Sequence, residues 1–83
     1  MDSEPLLSGH IQSATDLGKL AKQRRKAQKL TQADIAGLGD IGLRFVGELE
    51  RGKGTVQLDK VIHLLDLLGL DLVVVERTGR LKR

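Results

Sequence analysis

Cysteine is absent from this sequence, as are tryptophan and tyrosine, and there is one proline (Pro5), one phenylalanine (Phe45) and two histidines (His10 and His63). Without cysteine there are no disulfides, and two histidines far apart in sequence make a zinc site a poor expectation. A chain of 83 residues therefore has oligomerisation as its remaining aid to a small core. The lack of thiols fits a reducing cytoplasm. A single aromatic leaves no stacking platform for single strands or RNA loops. No apolar run approaches a membrane span, and the N-terminus lacks the basic-then-apolar order of a signal peptide. No nucleophile–base pair stands out, and Gly37, Gly39 and Gly42 are spaced unlike a phosphate-binding loop. Neither an enzymatic role nor a cofactor or metal is expected. A cytoplasmic, nucleoid-associated protein with no membrane partner is.

What the sequence does have is charge and one informative stretch. Its net charge of +3 and pI of about 9.6 hint at an anionic partner. Within residues 30–53, Thr31 is an N-cap with Asp34 three residues on, a short version of the capping box. Ile35, Ala36 and Leu38 supply a brief apolar face, and Gly39-Asp40 reads as a turn. Ile41, Phe45, Val46 and Leu49 then recur at helical spacing up to Gly52, a helix stop just past Arg51. Two short helices across a Gly-containing turn describe either a helix-turn-helix or an ordinary αα-corner in a helical bundle.

The run Leu30-Thr31-Gln32, Ile35-Ala36, Ile41, Val46 and Leu49-Glu50-Arg51-Gly52-Lys53 resembles the Xre/Cro repressor type of helix-turn-helix. Phe45 to Lys53 and Leu58 to Leu70 are similar to the corresponding runs of HipB-like antitoxins. The resemblance covers roughly residues 13–76 and implies a lambda-repressor-like bundle of four helices. It also implies an ion pair, Arg25 with Glu50, clamping helix 1 to helix 3. The family's base-reading positions fall on Gly42, Leu43, Arg44, Gly47 and Glu48. Of these, Arg44 is the usual reader, able to grip guanine O6 and N7; Leu43 suits a thymine methyl, and Glu48 either accepts from the cytosine amino group or repels phosphates. Gly42 and Gly47 offer no side chain and lower helix stability, a departure from the family's polar pattern. Gln32 matches the residue that holds a phosphate in related repressors, with Thr31, Arg51 and Lys53 close by on the expected footprint.

Taken in order, residues 1–12 are expected to form a loose arm, and Ser13 to cap helix 1 with Asp16 in its first turn. Leu17, Leu20, Ala21 and Ala27 are expected on the inner face, with Leu30 closing it. Lys19, Lys22, Arg24, Lys26 and Lys29 form a solvated face that could also lie along phosphates. The domain spans 13–70. In helix 4, Leu58, Val61, Ile62, Leu65 and Leu68 make the buried stripe, Leu64 and Leu67 widen it, and His63 is a surface residue. Residues 71–77 change character. Three successive β-branched residues favour strand, and a lone strand must hide its edge. Leu72, Val73, Val74 and Val75 are expected to pair with a second copy across a two-fold axis, the alternative being a strand laid on the monomer's own surface. HipB-like proteins carry such an intersubunit strand. Residues 78–83 are a basic tail.

The fold expected is all-α with one short C-terminal strand. The function expected is sequence-specific binding of double-stranded DNA by a homodimer, as an antitoxin-like autorepressor on a palindromic operator. The alternative is a protein-interaction module that neutralises a HipA-like serine/threonine kinase toxin.

Overall fold

The computed structural model describes residues 10–76. Four helices follow one another: α1 (Ala14–Ala27), α2 (Gln32–Gly39), α3 (Leu43–Glu50) and α4 (Leu58–Leu67). None of them is long and apolar enough to cross a membrane. The N-caps of the first two work as their sequence suggests. Ser13 Oγ accepts from the Asp16 amide at 3.1 Å. Thr31 Oγ1 accepts from the Asp34 amide at 2.9 Å while an Asp34 carboxylate oxygen accepts from the Thr31 amide at 2.8 Å, a reciprocal capping box.

All four helices end the same way. A residue in the left-handed conformation follows each one: Lys29, Asp40, Gly52 and Gly69, with φ of 61°, 53°, 88° and 77°. The next amide then reaches back to the carbonyl five residues earlier: Leu30 to Arg25, Ile41 to Ala36, Lys53 to Glu48 and Leu70 to Leu65. This 6→1 bond is the Schellman motif, which uses up a carbonyl that the helix end would otherwise leave orphaned. In three of the four cases, the residue past the stop is a Leu or Ile that packs on the core: Leu30, Ile41 and Leu70. The stops therefore aim the chain as well as ending the helix.

The core is Ala21, Ile35, Ala36, Val46, Leu49, Val61, Leu64, Leu65 and Leu68, flanked by partly buried Leu17, Phe45, Val56 and Leu67. Two elements differ from expectation. On α2, Leu38 is 69% exposed, because the helix turns only Ile35 and Ala36 inward. On α4, the buried stripe is Val61, Leu64, Leu65 and Leu68, while Leu58 and Ile62 are exposed. Both stripes fit a 3.6-residue period; packing on α2 selects the one containing Leu64. Ala27 is also exposed.

Helix α1 ties the bundle together. A Cβ at Gly18 would run into the Leu49 carbonyl oxygen and lie 2.8 Å from that of Glu50, so the small residue lets α1 cross the end of α3 at close range. Arg24 is not on a solvated face. Its Nε donates to the Leu68 carbonyl at 2.7 Å, joined there by Gln28 Nε2 at 3.1 Å. The two side chains cap the C-terminal end of α4, where a cation is also favoured by the helix dipole.

No strand forms among the described residues. From Asp71 to Glu76 the chain has no regular structure, and Val73, Val74 and Val75 are 70%, 94% and 72% exposed. The reason is physical: a single strand has no ladder unless another chain supplies one. Only its start stays beside the domain: Leu72 is half-exposed and shares a shallow cavity with Ile62 and His63 of α4, while the three valines stand clear. Residues 1–9 of the arm, Arg77 and the basic tail fall outside the described residues.

Candidate nucleic-acid interface

Helices α2 and α3 are separated by Asp40, Ile41 and Gly42. Asp40 makes the left-handed turn, half-buried Ile41 pins it to the core, and Gly42, exposed and extended, is the N-cap of α3. Gly42 therefore lies outside the helix and does not weaken its interior. Val46 and Leu49 turn α3's apolar side inward. The opposite side begins with Leu43, which is 53% exposed, and Arg44, whose side chain is 88% exposed. The result is a short helix supported from behind by α2, with a cation projecting from its first turn.

The back of that helix is fixed by a polar cluster. Arg25 Nε donates to Glu50 Oε2 at 2.7 Å and Arg25 Nη2 to Glu50 Oε1 at 2.9 Å. Arg25 Nη1 donates to the Leu30 carbonyl at 2.7 Å, and Gln32 Nε2 donates to Glu50 Oε1 at 3.0 Å. The Arg25 and Glu50 side chains are 8% and 4% exposed. Parallel bonds from one planar fork set orientation as well as distance. One side chain thus joins α1, the α1–α2 connection and the end of α3. Burial pushes the Glu50 carboxyl upward, but bonds from Arg25 and Gln32 outweigh this and hold it below the usual glutamate value. The hydrogen bond to Glu50 in turn raises the Arg25 guanidinium further.

The helix-turn-helix family model (HTH_3) matches residues 22–75. Along 92% of its length the chain is 37% identical to the whole of a protein from Sinorhizobium fredii (strain NBRC 101917 / NGR234), the uncharacterised HTH-type transcriptional regulator y4mF. The chain belongs to the helix-turn-helix family of transcriptional regulators. Solved structures with the same backbone path include a HipB–O4 20-mer complex and a HipA–HipB–O2–O3 complex. Each superposes with a TM-score of 0.77 over 84% of this chain and 99% of the other, at 21% identity. At that identity the likeness is one of fold: the four-helix bundle of HipB.

In a DNA-binding helix-turn-helix the second helix is the one that enters the major groove, and α3 occupies that place in this chain. The residues singled out in the sequence fall into three groups. Leu43, Arg44 and the N-cap Gly42 lie on the open face. Glu48 lies one turn below Arg44 and is largely covered, with its side chain 18% exposed. Its Oε2 accepts from Arg44 Nε at 3.0 Å and sits 3.3 Å from Lys53 Nζ. The Arg44 bond chiefly holds this carboxyl below its usual value; burial opposes it, and Lys53 adds to the lowering. Gly47 is buried, which sets it apart from the open face. A Cβ there would lie 3.1 Å from Arg51 Nη1 and 3.8 Å from Gln32 Oε1. It is a saddle over which the Arg51 side chain folds back toward the start of α2.

Thr31 and Gln32 sit together at the start of α2, as cap and first residue. The Asp34 carboxyl beside them is held low, first by the Thr31 amide and then by its hydroxyl. Several features escaped sequence reasoning: the capping of α4 by Arg24 and Gln28, the Gln32–Glu50 bond and the Lys53–Glu48 contact. His63 is exposed, yet its Nε2 lies 3.0 Å from the Gly39 carbonyl and bridges α4 to the end of α2. Only the Arg44–Glu48 spacing of four residues was available as a local signal.

Proposed function

We propose that this protein is an antitoxin-like autorepressor that binds a roughly palindromic operator as a homodimer. The observation that carries the reading is Arg44, fully projected from the first turn of a helix whose back is clamped by Arg25 and Glu50. In this reading α3 enters the major groove and Arg44 grips guanine O6 and N7, with Leu43 against a thymine methyl and Glu48 toward a cytosine amino group. Gly42 lets the backbone approach the groove floor, and Gly47 contributes by seating Arg51. Phosphates are held by Thr31, Arg51, Lys53 and the first-turn amides of α2 with Gln32, whose side-chain amide keeps a second hydrogen free of Glu50.

One such domain offers little surface for tight specific binding. A second copy placing its α3 about one DNA turn away, ~34 Å, would supply the rest. Leu72 to Val75 leave an unpaired backbone edge, and this supports pairing of that segment with its own copy. The apolar side chains that remain exposed on α4, Leu58 and Ile62, favour a second reading that is compatible with the first: a protein partner on that face. A HipA-like serine/threonine kinase toxin is the candidate, since HipB is found in complex with HipA. Fluorescence anisotropy on duplexes from upstream of the protein's own gene tests the operator reading. Binding tighter there than to scrambled duplex is expected; equal binding would defeat it.

A further inference from the structure

The order of charges along α3 is opposite to what a helix favours. Arg44 stands in its first turn, and Glu48 and Glu50 in its last. Cations near the N-terminus and anions near the C-terminus both oppose the helix dipole. An acid N-terminal to its base is also the better order for a pair four residues apart. Glu50 has its own reason for being there, the buried bond to Arg25. Glu48 has none in the core, and the Arg44–Glu48 pair does not serve the helix that carries it.

The geometry of the pair points outward. Glu48 receives Arg44 through Nε, which leaves the end of the guanidinium, the edge between its two terminal nitrogens, free for another acceptor. Both cations on this carboxylate, Arg44 and Lys53, meet the same oxygen, Oε2. Oε1 takes no bond from either of them. Two cations around one carboxylate also leave the cluster net positive, so the acid can stand near DNA.

We propose that Glu48 is a positioning and specificity-determining residue, which fixes Arg44 end-on for a guanine through Oε2 and accepts from a neighbouring cytosine N4 amino group through Oε1. This rests on the operator-binding reading above and deepens it. Arg44 and Glu48 then act as one reader of adjacent guanine and cytosine positions, not as two independent contacts. Without Glu48, a freely swinging Arg44 reaches phosphates as easily as bases. Its removal therefore strengthens binding to random DNA while it weakens discrimination.

The test is selection from a randomised duplex library by the full chain and by E48A, E48Q and R44A, with circular dichroism melts to show that each variant is folded. The wild type is expected to enrich a guanine next to a cytosine. E48A is expected to lose the cytosine preference, relax the guanine preference about tenfold or more, as loss of a base contact does, and bind random duplex more tightly. E48Q, which keeps the size but offers an amide, is expected to shift the cytosine position toward other bases. If E48A enriches the same bases to the same degree as wild type, the inference is wrong and the operator reading survives. If the wild type enriches no motif at all, both are overturned.

Discussion

Replacing Arg25 by methionine removes a buried cation while keeping an apolar stem of similar length. Three bonds go with it: two to Glu50 and one to the Leu30 carbonyl. Glu50 is left with Gln32 alone, on a side chain that is 4% exposed. Stranding one member of a buried pair costs about 3–5 kcal/mol, whereas an exposed pair is worth roughly 0–1 kcal/mol. A domain this small has a total of roughly 5–10 kcal/mol at best. At about 4–8 °C per kcal/mol for this size, even the lower figure lowers the melting temperature by roughly 12–24 °C. Thermal and urea melts followed by circular dichroism at neutral pH measure this directly. The double variant Arg25→Met with Glu50→Leu separates the causes. It removes the stranded carboxylate and lets Gln32, at the domain's edge, turn to water, so it should be more stable than Arg25→Met alone. A loss below about 1 kcal/mol in the single variant, or no recovery in the double, would refute the buried clamp.

The same clamp, and the close helix crossing and helix stops around it, can be tested separately. Glu50 titrates lower in the folded chain than in the unfolded one, so on acidification the unfolded state takes up the proton first. The advantage of wild type over Glu50→Gln should be constant from pH 7 to about 5 and shrink below about pH 4; a gap unchanged at pH 3 contradicts it. Gly18→Ala would stabilise a free helix by about 1 kcal/mol. Here the new methyl meets the backbone carbonyls of Leu49 and Glu50, so urea melts should show a loss of about 1–3 kcal/mol instead. Lys29 holds a left-handed conformation that costs an L-residue about 1–2 kcal/mol. Lys29→Gly should therefore raise stability by roughly 0.5–1 kcal/mol after its greater freedom in the unfolded chain is allowed for; a lower urea midpoint would count against the motif.

The parts of the fold legible in the sequence were those set by local chemistry. Thr31 with Asp34, Ser13 with Asp16, Gly52 and Gly69 each act within a few residues, and their helix ends fall where those residues put them. Lys29 and Asp40 were not legible as left-handed stops, because neither residue type demands that conformation. The α4 stripe was only half legible: Val61, Leu65 and Leu68 belong to both candidate faces, and the choice between Leu64 and the pair Leu58 and Ile62 is made by α2. Arg24 read as surface because nothing near it in sequence reveals the Leu68 carbonyl, 44 residues away. Gly47 read only as a position without a side chain, because nothing local reveals the Arg51 side chain that lies across it. The expected strand illustrates a different limit. Three valines announce a preference for extended chain, but a ladder is a property of two chains, and one chain carries half of it.

At the centre of this account is the claim that the exposed side of α3, and not the apolar side of α4, meets DNA. Two-dimensional amide NMR of the protein titrated with a duplex from upstream of its own gene addresses it residue by residue. The largest shifts are expected at Gly42 to Arg44, Glu48 and the α2 start at Thr31 and Gln32, and Arg44→Ala should abolish the difference between that duplex and a scrambled one. Shifts concentrated instead at Leu58, Ile62 and Leu72 to Val75, with α3 unmoved, would contradict it.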